Sequence, residues 1–153
     1  MKKLAILRHA EAGFGQDDHS RALTNQGISK LRNIKTEVNA NLLEDAIIVS
    51  STAIRCRQTL DELLSGTRFE GKFQYRDPLY NAPLDTLLSQ IWSSDESKDQ
   101  VVICAHNPGL SDLIYHLSGQ SVFLNTGNFV LLESDIDSWN ETQVMTFKLL
   151  KSI

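Results

Sequence analysis

Leu4-Ala5-Ile6-Leu7-Arg8-His9-Ala10 is the stretch on which the reading of this chain turns. Four apolar residues in an unbroken run, with lysines before them and Arg8 after, predict a short strand buried on both faces. A strand of that kind needs helices above and below its sheet, and the chain supplies further strands and helices in alternation. Ala46-Ile47-Ile48-Val49 and Val101-Val102-Ile103-Cys104 read as two more buried strands. Between and after them, Ile28, Leu31, Ile34 and Val38 recur at helical spacing behind a Thr24 cap. Cys56, Leu60, Leu63 and Leu64 do so after Ser51 or Thr52, ending near Gly66. Leu84, Leu87, Leu88, Ile91 and Trp92 mark another amphipathic helix, and Leu110, Leu113, Ile114 and Leu117 a fourth. Phe73 and Tyr75 alternate with polar neighbours, as in a strand near an edge. Phe129–Leu132 and Val144–Leu150 read as two late strands, the last one alternating Met145, Phe147 and Leu149. The expectation is an α/β three-layer sandwich with a mostly parallel central sheet flanked by helices and an antiparallel edge.

Composition agrees with one domain spanning 1–153. A chain of 153 residues should expose roughly 7,800 Å² when folded and about 25,000 Å² when extended, enough burial for one core and too little for two. No repeat, low-complexity tract or linker interrupts it. Lys and Arg total 15 against 19 Asp and Glu, giving a net charge of −4. That argues against a surface that grips nucleic acid or anionic lipid as a whole, while leaving room for a local cluster of arginines. The apolar run after Met1-Lys2-Lys3 is too short for a signal peptide, and no run is long enough to span a membrane, so the expectation is a cytoplasmic protein. Cys56 and Cys104 fit neither a disulfide framework nor a zinc motif.

In sheets of this type, sites collect just beyond the carboxyl ends of the strands. There the chain places Arg8-His9-Ala10-Glu11, Ser50-Ser51-Thr52-Ala53-Ile54-Arg55 and Ala105-His106-Asn107-Pro108-Gly109, with Arg21 in the loop before the first helix. Each residue alone has an ordinary structural reading. Arg8 would be a strand-end ion pair, Arg21 a loop charge, Arg55 a solvated helix residue, and each histidine a satisfied polar group. Their convergence on one edge of the sheet is what points to phosphate. Guanidinium forks match phosphoryl oxygens and stay charged at any working pH. Among Arg8, Arg21 and Arg55, a phosphoryl group would be oriented without metal. His9 would attack phosphorus in line, and His106 would stabilise charge on the equatorial oxygens. Neighbouring cations would also keep His9 unprotonated.

These four segments, in this order, resemble the signatures of the histidine phosphatase superfamily. They are Leu7-Arg8-His9-Ala10, Arg21-x-Leu23-Thr24-x-x-Gly27, Ser50-Ser51-x-x-x-Arg55-x-x-x-Thr59 and Ala105-His106-Asn107. Small size and the Arg-x-Leu-Thr segment look most like the SixA-type phosphohistidine phosphatases. The resemblance covers essentially the whole chain. It implies a phosphoglycerate mutase-like fold, no metal or other cofactor, and a phosphorylated histidine intermediate. By the matching positions His9 is the nucleophile, Arg8, Arg21 and Arg55 bind phosphate, and His106 is the second histidine.

Two departures from the family pattern stand out. Ala10 replaces the usual glycine after the nucleophile. Where many members carry a glutamate acid, this chain reads Leu79-Tyr80-Asn81-Ala82, with Asp85 a loose substitute. Glu11 reads as a structural acceptor or loop charge. Asn107 with Pro108 and Gly109 reads as a helix start whose amides face an anion, and Asp18 as an acidic loop residue able to orient Arg21. Thr126-Gly127-Asn128 reads as a turn that could also close one wall of the pocket. An alkoxide leaving group needs an acid and a phosphoramidate needs less, so the missing glutamate tilts the expected substrate toward a protein bearing phosphohistidine. The alternatives are a phosphatase of small phosphorylated metabolites, a mutase, and a non-catalytic phosphate-binding module. Neither nucleic acid, membrane nor an obligate partner is expected.

Overall fold

The apolar run forms β1 (Lys2–Arg8), whose side chains divide between two apolar clusters. Ala5 and Leu7 point to one, Leu4 and Ile6 to the other, as the two-residue period of a strand requires. The computed structural model describes residues 1–38 and 40–153. After β1 come α1 (Asn25–Lys35), α2 (Ala40–Glu44), β2 (Ile47–Ser50), α3 (Ile54–Leu64), β3 (Lys72–Tyr75) and α4 (Leu84–Trp92). Then follow β4 (Gln100–Ala105), α5 (Gly109–Ser118), β5 (Phe129–Ser134) and β6 (Lys148–Ser152). On one face Leu31, Ile34, Cys56, Leu60 and Leu63 of α1 and α3 cover Ala5, Leu7, Ile48 and Val102. On the other, Leu87, Ile91, Leu110, Leu113 and Leu117 of α4 and α5 cover Leu4, Ile6, Val49 and Ile103. The expected three layers are present.

The sheet runs β3-β2-β4-β1-β5-β6. It is mixed, which corrects the expectation of a mostly parallel sheet. The pairings β1–β4, β2–β4 and β2–β3 are parallel, while β5 is antiparallel to both β1 and β6. The cause lies in the stretch after α5, which contains no helix. It carries the chain back to the carboxyl ends of the strands, where the Gly127 N–H donates to Arg8 O (3.1 Å) and His9 O (2.9 Å). From there β5 descends beside β1.

Thr24 caps α1 as read, its hydroxyl accepting from Gly27 N (3.0 Å). Val38, placed on that helix by its spacing, is buried beyond the helix end. The helix read from Ser51 or Thr52 begins at Ile54, with the Ser51 hydroxyl accepting from Ala53 N (3.2 Å). The short α2 has no counterpart in the sequence reading. The last strand starts four residues later than its alternation suggests. Met145 N and Phe147 N donate to His116 O (2.9 Å) and Leu117 O (3.0 Å), so this segment binds the end of α5 instead of β5. Among the described residues no helix is long and apolar enough to cross a membrane.

Register positions the site. Leu7 and Ser50 both lie opposite Cys104, and Arg8 opposite Ala105, so β1, β2 and β4 end level. His9, Ser51 and His106 therefore leave the sheet side by side. The start of α5 is pinned by Gly109, where an added Cβ would stand 2.1 Å from Ala82 O. Gly109→Ala should destabilise the fold by more than about 2 kcal/mol, because backbone must move to admit the methyl. Denaturant unfolding followed by circular dichroism checks this.

Candidate active site

The level strand ends open into a cleft of about 320 Å³. Arg8, His9, Glu11, Ala12, Arg21, Arg55, Asn81, His106, Asn107 and Thr126 line it. The structure thus gathers every residue proposed from sequence for the reaction, from segments up to about a hundred positions apart.

His9 and His106 are both buried, with ring centroids 5.2 Å apart. His9 Nδ1 lies 2.8 Å from Ala10 O. A carbonyl only accepts, so the proton sits on Nδ1 and Nε2 keeps its lone pair. The Arg55 Nε–H donates to that nitrogen at 3.3 Å, which fits the same tautomer. Burial pushes the His9 imidazole from its ordinary 6.5 down to about 3. The hydrogen bond to Ala10 opposes this, while His106, Arg55 and Arg8 add to it. His9 is thereby an unprotonated base throughout the neutral range.

His106 is held from both ends. Arg55 Nη2 donates to its Nδ1 (3.3 Å), so its proton sits on Nε2, which donates to the Ser51 hydroxyl (2.7 Å). Ser51 is fixed in turn by Ala53 N. With Nε2–H so engaged, a proton gained on Nδ1 would point into the same space that Arg55 and His9 face.

Arg55 joins these parts. Its side chain is 4% exposed, and besides the two imidazoles it donates through Nη1 to Asp18 O (2.7 Å) and through Nη2 to Asp18 Oδ2 (3.2 Å). Asp18 also pairs with Arg21 Nη1 (3.0 Å) and accepts from the Tyr80 hydroxyl. The Tyr80 and Arg21 hydrogen bonds hold the Asp18 carboxyl well below the usual carboxylate range. Arg21 lines the cleft while Gly13 O (2.8 Å) and Ala12 O (3.3 Å) fix its fork. Arg8 donates Nη1 to Leu124 O (2.8 Å), and its buried Nε has no partner among the described residues. A buried donor of that kind is costly unless a ligand oxygen meets it. Lys30 adds a further cation, its ammonium 2.6 Å from Thr126 O. Burial and the nearby Arg8 lower its pKa.

The minor candidates resolve differently. Glu11 lines the cleft and accepts from the Thr24 hydroxyl (2.8 Å), the structural role read for it. Asn107 is occupied with Leu124 O (3.1 Å) and with Ser111 N (3.1 Å) and Oγ (3.0 Å). Its side chain therefore organises the start of α5. Asp85 is exposed on α4 and does not line the cleft, so it is not the missing acid. Asn81 also lines the cleft, and its amide has no acidic proton to give a leaving group. Ala10 packs in the apolar cluster, and its N–H donates to Thr59 Oγ1 (2.9 Å), so the extra methyl is absorbed by the core. Thr126 forms a wall of the cleft, more than an ordinary turn. Sequence gave no signal for Tyr80 or Lys30. Asp18 had one, its position three residues before Arg21. Among the described residues no trio of His, Cys, Asp or Glu is arranged to hold a metal.

No family model matches the chain. The uncharacterized protein Rv1276c of Mycobacterium tuberculosis is 29% identical over 117 residues, 75% of this chain and 72% of the relative. The uncharacterized chloroplastic protein At3g52155 of Arabidopsis thaliana is 25% identical over 154 residues, covering 92% and 70%. Among solved structures, a candidate phosphohistidine phosphatase SixA from Nakamurella multipartitia superposes with a TM-score of 0.87 at 23% identity, over 99% of this chain and 95% of that one. The chain has the SixA fold. A second SixA candidate, from Agrobacterium tumefaciens, gives 0.83 at 24% identity, covering 99% and 97%. The protein histidine phosphatase SixA solved with tungstate gives 0.82 at 18%, covering 99% and 96%.

Arg55→Met removes a cation facing His9 and should raise the His9 pKa from about 3 toward 6.5. Imidazole nitrogen shifts followed across a pH titration by NMR check the direction. An unchanged or lower value would show that burial alone sets it.

Proposed function

We propose that this protein is a phosphatase that carries a phosphoryl group from phosphohistidine on a protein, through His9, to water. The observation that carries the reading is the locked tautomer of His9. Its Nδ1–H is tied to Ala10 O, and its lone pair on Nε2 is presented among the cleft arginines. A binding module needs cations and has no use for an unprotonated nucleophile.

Phosphate enters against the guanidiniums of Arg8, Arg21 and Arg55 that line the cleft. Nε2 of His9 gives up the hydrogen bond from Arg55 Nε–H, which turns to a phosphoryl oxygen, and forms the new N–P bond as the bond from phosphorus to the substrate imidazole breaks. That electron pair returns to the departing nitrogen as its lone pair, and the substrate ring, keeping the proton on its other nitrogen, leaves as neutral imidazole. Arg55 and His106 offset the charge spread over the equatorial oxygens. Water then attacks phosphorus, the P–Nε2 bond breaks toward His9, and inorganic phosphate departs. The arginines neutralise the phosphoryl group, so the reading assigns no step to a metal.

Leaving-group chemistry supports the substrate class. Glu11 is the one carboxylate among the cleft-lining residues, and it is bound to Thr24, so no free acid stands ready for an alkoxide. An imidazole leaves without one. The tungstate complex of one SixA neighbour accords with a cleft for a tetrahedral oxyanion. The reduced, buried Cys56 and Cys104 suit a cytoplasmic setting.

Rapid quench with a 32P-phosphohistidine protein should trap a phosphoenzyme that is acid-labile and base-stable. His9→Asn should abolish it and lower turnover by at least about 10³-fold. His106→Gln should reduce kcat by about 10²–10³-fold, as loss of one oxyanion donor does. Phosphohistidine should exceed an alkyl phosphomonoester in kcat/KM by roughly 10²–10⁴-fold. Equal rates would favour a metabolite phosphatase. Because His9 stays unprotonated above about pH 3, no acid limb of kcat/KM between pH 5 and 7 should belong to it.

A further inference from the structure

Six phenylalanines occur in the chain. Phe129 and Phe147 are buried, and Phe69 and Phe73 are half-buried. The remaining two, Phe14 and Phe123, are 106% and 88% exposed. Both stand on loops that wall the phosphate cleft. Phe14 is two residues beyond Ala12, a lining residue, and next to Gly13, whose carbonyl holds Arg21. Phe123 directly precedes Leu124, whose carbonyl accepts from both Arg8 and Asn107, and it lies three residues before the lining Thr126. A residue spans at most about 3.6 Å of chain, so the Phe14 and Phe123 backbones lie within about 7 and 11 Å of the lining Ala12 and Thr126. Beside Phe14 lies a second hollow of about 550 Å³, which shares Ala12 and Arg21 with the cleft. The two depressions adjoin at these residues.

Single exposed apolar residues need no explanation, but two fully exposed rings on the two loops of one cleft do. We infer that Phe14 and Phe123 are docking anchors for a folded protein whose phosphorylated histidine enters the cleft, with an apolar side chain of that protein seated in the hollow beside Phe14. This rests on the phosphohistidine reading above and extends it to the surface that selects the substrate. The cleft has room for a phosphorylated side chain, and a free phosphohistidine lying in it leaves both rings in water. A protein surface covers them. Each ring can bury 150–250 Å² at small entropic cost, which is why aromatic side chains dominate binding hot spots. Continuity of the rim with the cationic cleft favours such a partner over a lipid surface, as does the net charge of −4.

The test compares two substrates with the full-length protein. One is a small folded phosphocarrier domain, phosphorylated with phosphoramidate on a single surface histidine. The other is free N-phosphohistidine. Phe14→Ser and Phe123→Ser should each raise KM for the protein substrate about tenfold, with kcat and the free phosphohistidine rate unchanged. Phe14→Leu and Phe123→Leu should restore most of the affinity. Equal losses on both substrates, or no loss on either, would overturn the docking role while leaving the phosphohistidine reading intact. A change from dimer to monomer in sedimentation of the serine variants would overturn it in favour of a second copy as the occupant. Failure of the wild-type protein to turn over either phosphohistidine substrate would instead sink the proposed function.

Discussion

Arg55 is a guanidinium almost wholly out of water, and the site is organised around the cost of keeping it there. A buried cation is tolerated only when charge and hydrogen-bond partners surround it. Here they are the backbone and carboxylate of Asp18 on one side and two imidazole lone pairs on the other. Those contacts fix more than the arginine. Because the guanidinium can only donate, it holds His9 Nε2 and His106 Nδ1 in their unprotonated forms. It also ties the loop bearing Asp18 and Arg21 to α3. In the reaction proposed above, the cation that orients the phosphoryl group also prepares the nucleophile for it.

The scaffold supplies the rigidity this arrangement needs. His9 and His106 follow paired parallel strands that end in register, so their separation is set by the sheet ladder and not by loop conformation. Ser51 leaves the third aligned strand, β2, and holds His106 from behind. The antiparallel turn of the chain into β5 has a function in this setting. By returning to the carboxyl ends before descending, it places Leu124 O against Arg8, Thr126 in the cleft wall and Gly127 against the backbone of His9. Gly127 adopts φ +75°, which a β-carbon would strain.

The apolar stretches and the helical spacings were readable because burial on a covered sheet leaves a local period in the sequence. Where the reading missed, long-range hydrogen bonds had overridden that period. Met145 and Phe147 alternate like strand residues but bond to the end of α5, and β6 begins only at Lys148. At the site, His9, His106 and the three arginines were legible because residue types suited to binding and attacking phosphate cluster around the ends of β1, β2 and β4 and in the loop before α1. Asp18 was visible only as a neighbour of Arg21. Tyr80 and Lys30 reach the site from 62 and 96 positions away from their partners Asp18 and Thr126, and nothing local marks such contacts.

Sequence by itself determined the strands that carry the reactive residues, the helices that cover them, and the concentration of arginine and histidine at one end of the sheet, since each follows from local pattern or residue chemistry. Only the tertiary structure decided which ring nitrogen of His9 bears the lone pair, because that depends on a carbonyl turned toward Nδ1 and a guanidinium brought from α3. It alone decided that Asp18 serves two arginines at once, that Asn107 binds Ser111 in the first turn of α5, and that the sheet is mixed. Those outcomes arise from directional bonds between distant segments, and their geometry exists only once the layers have packed.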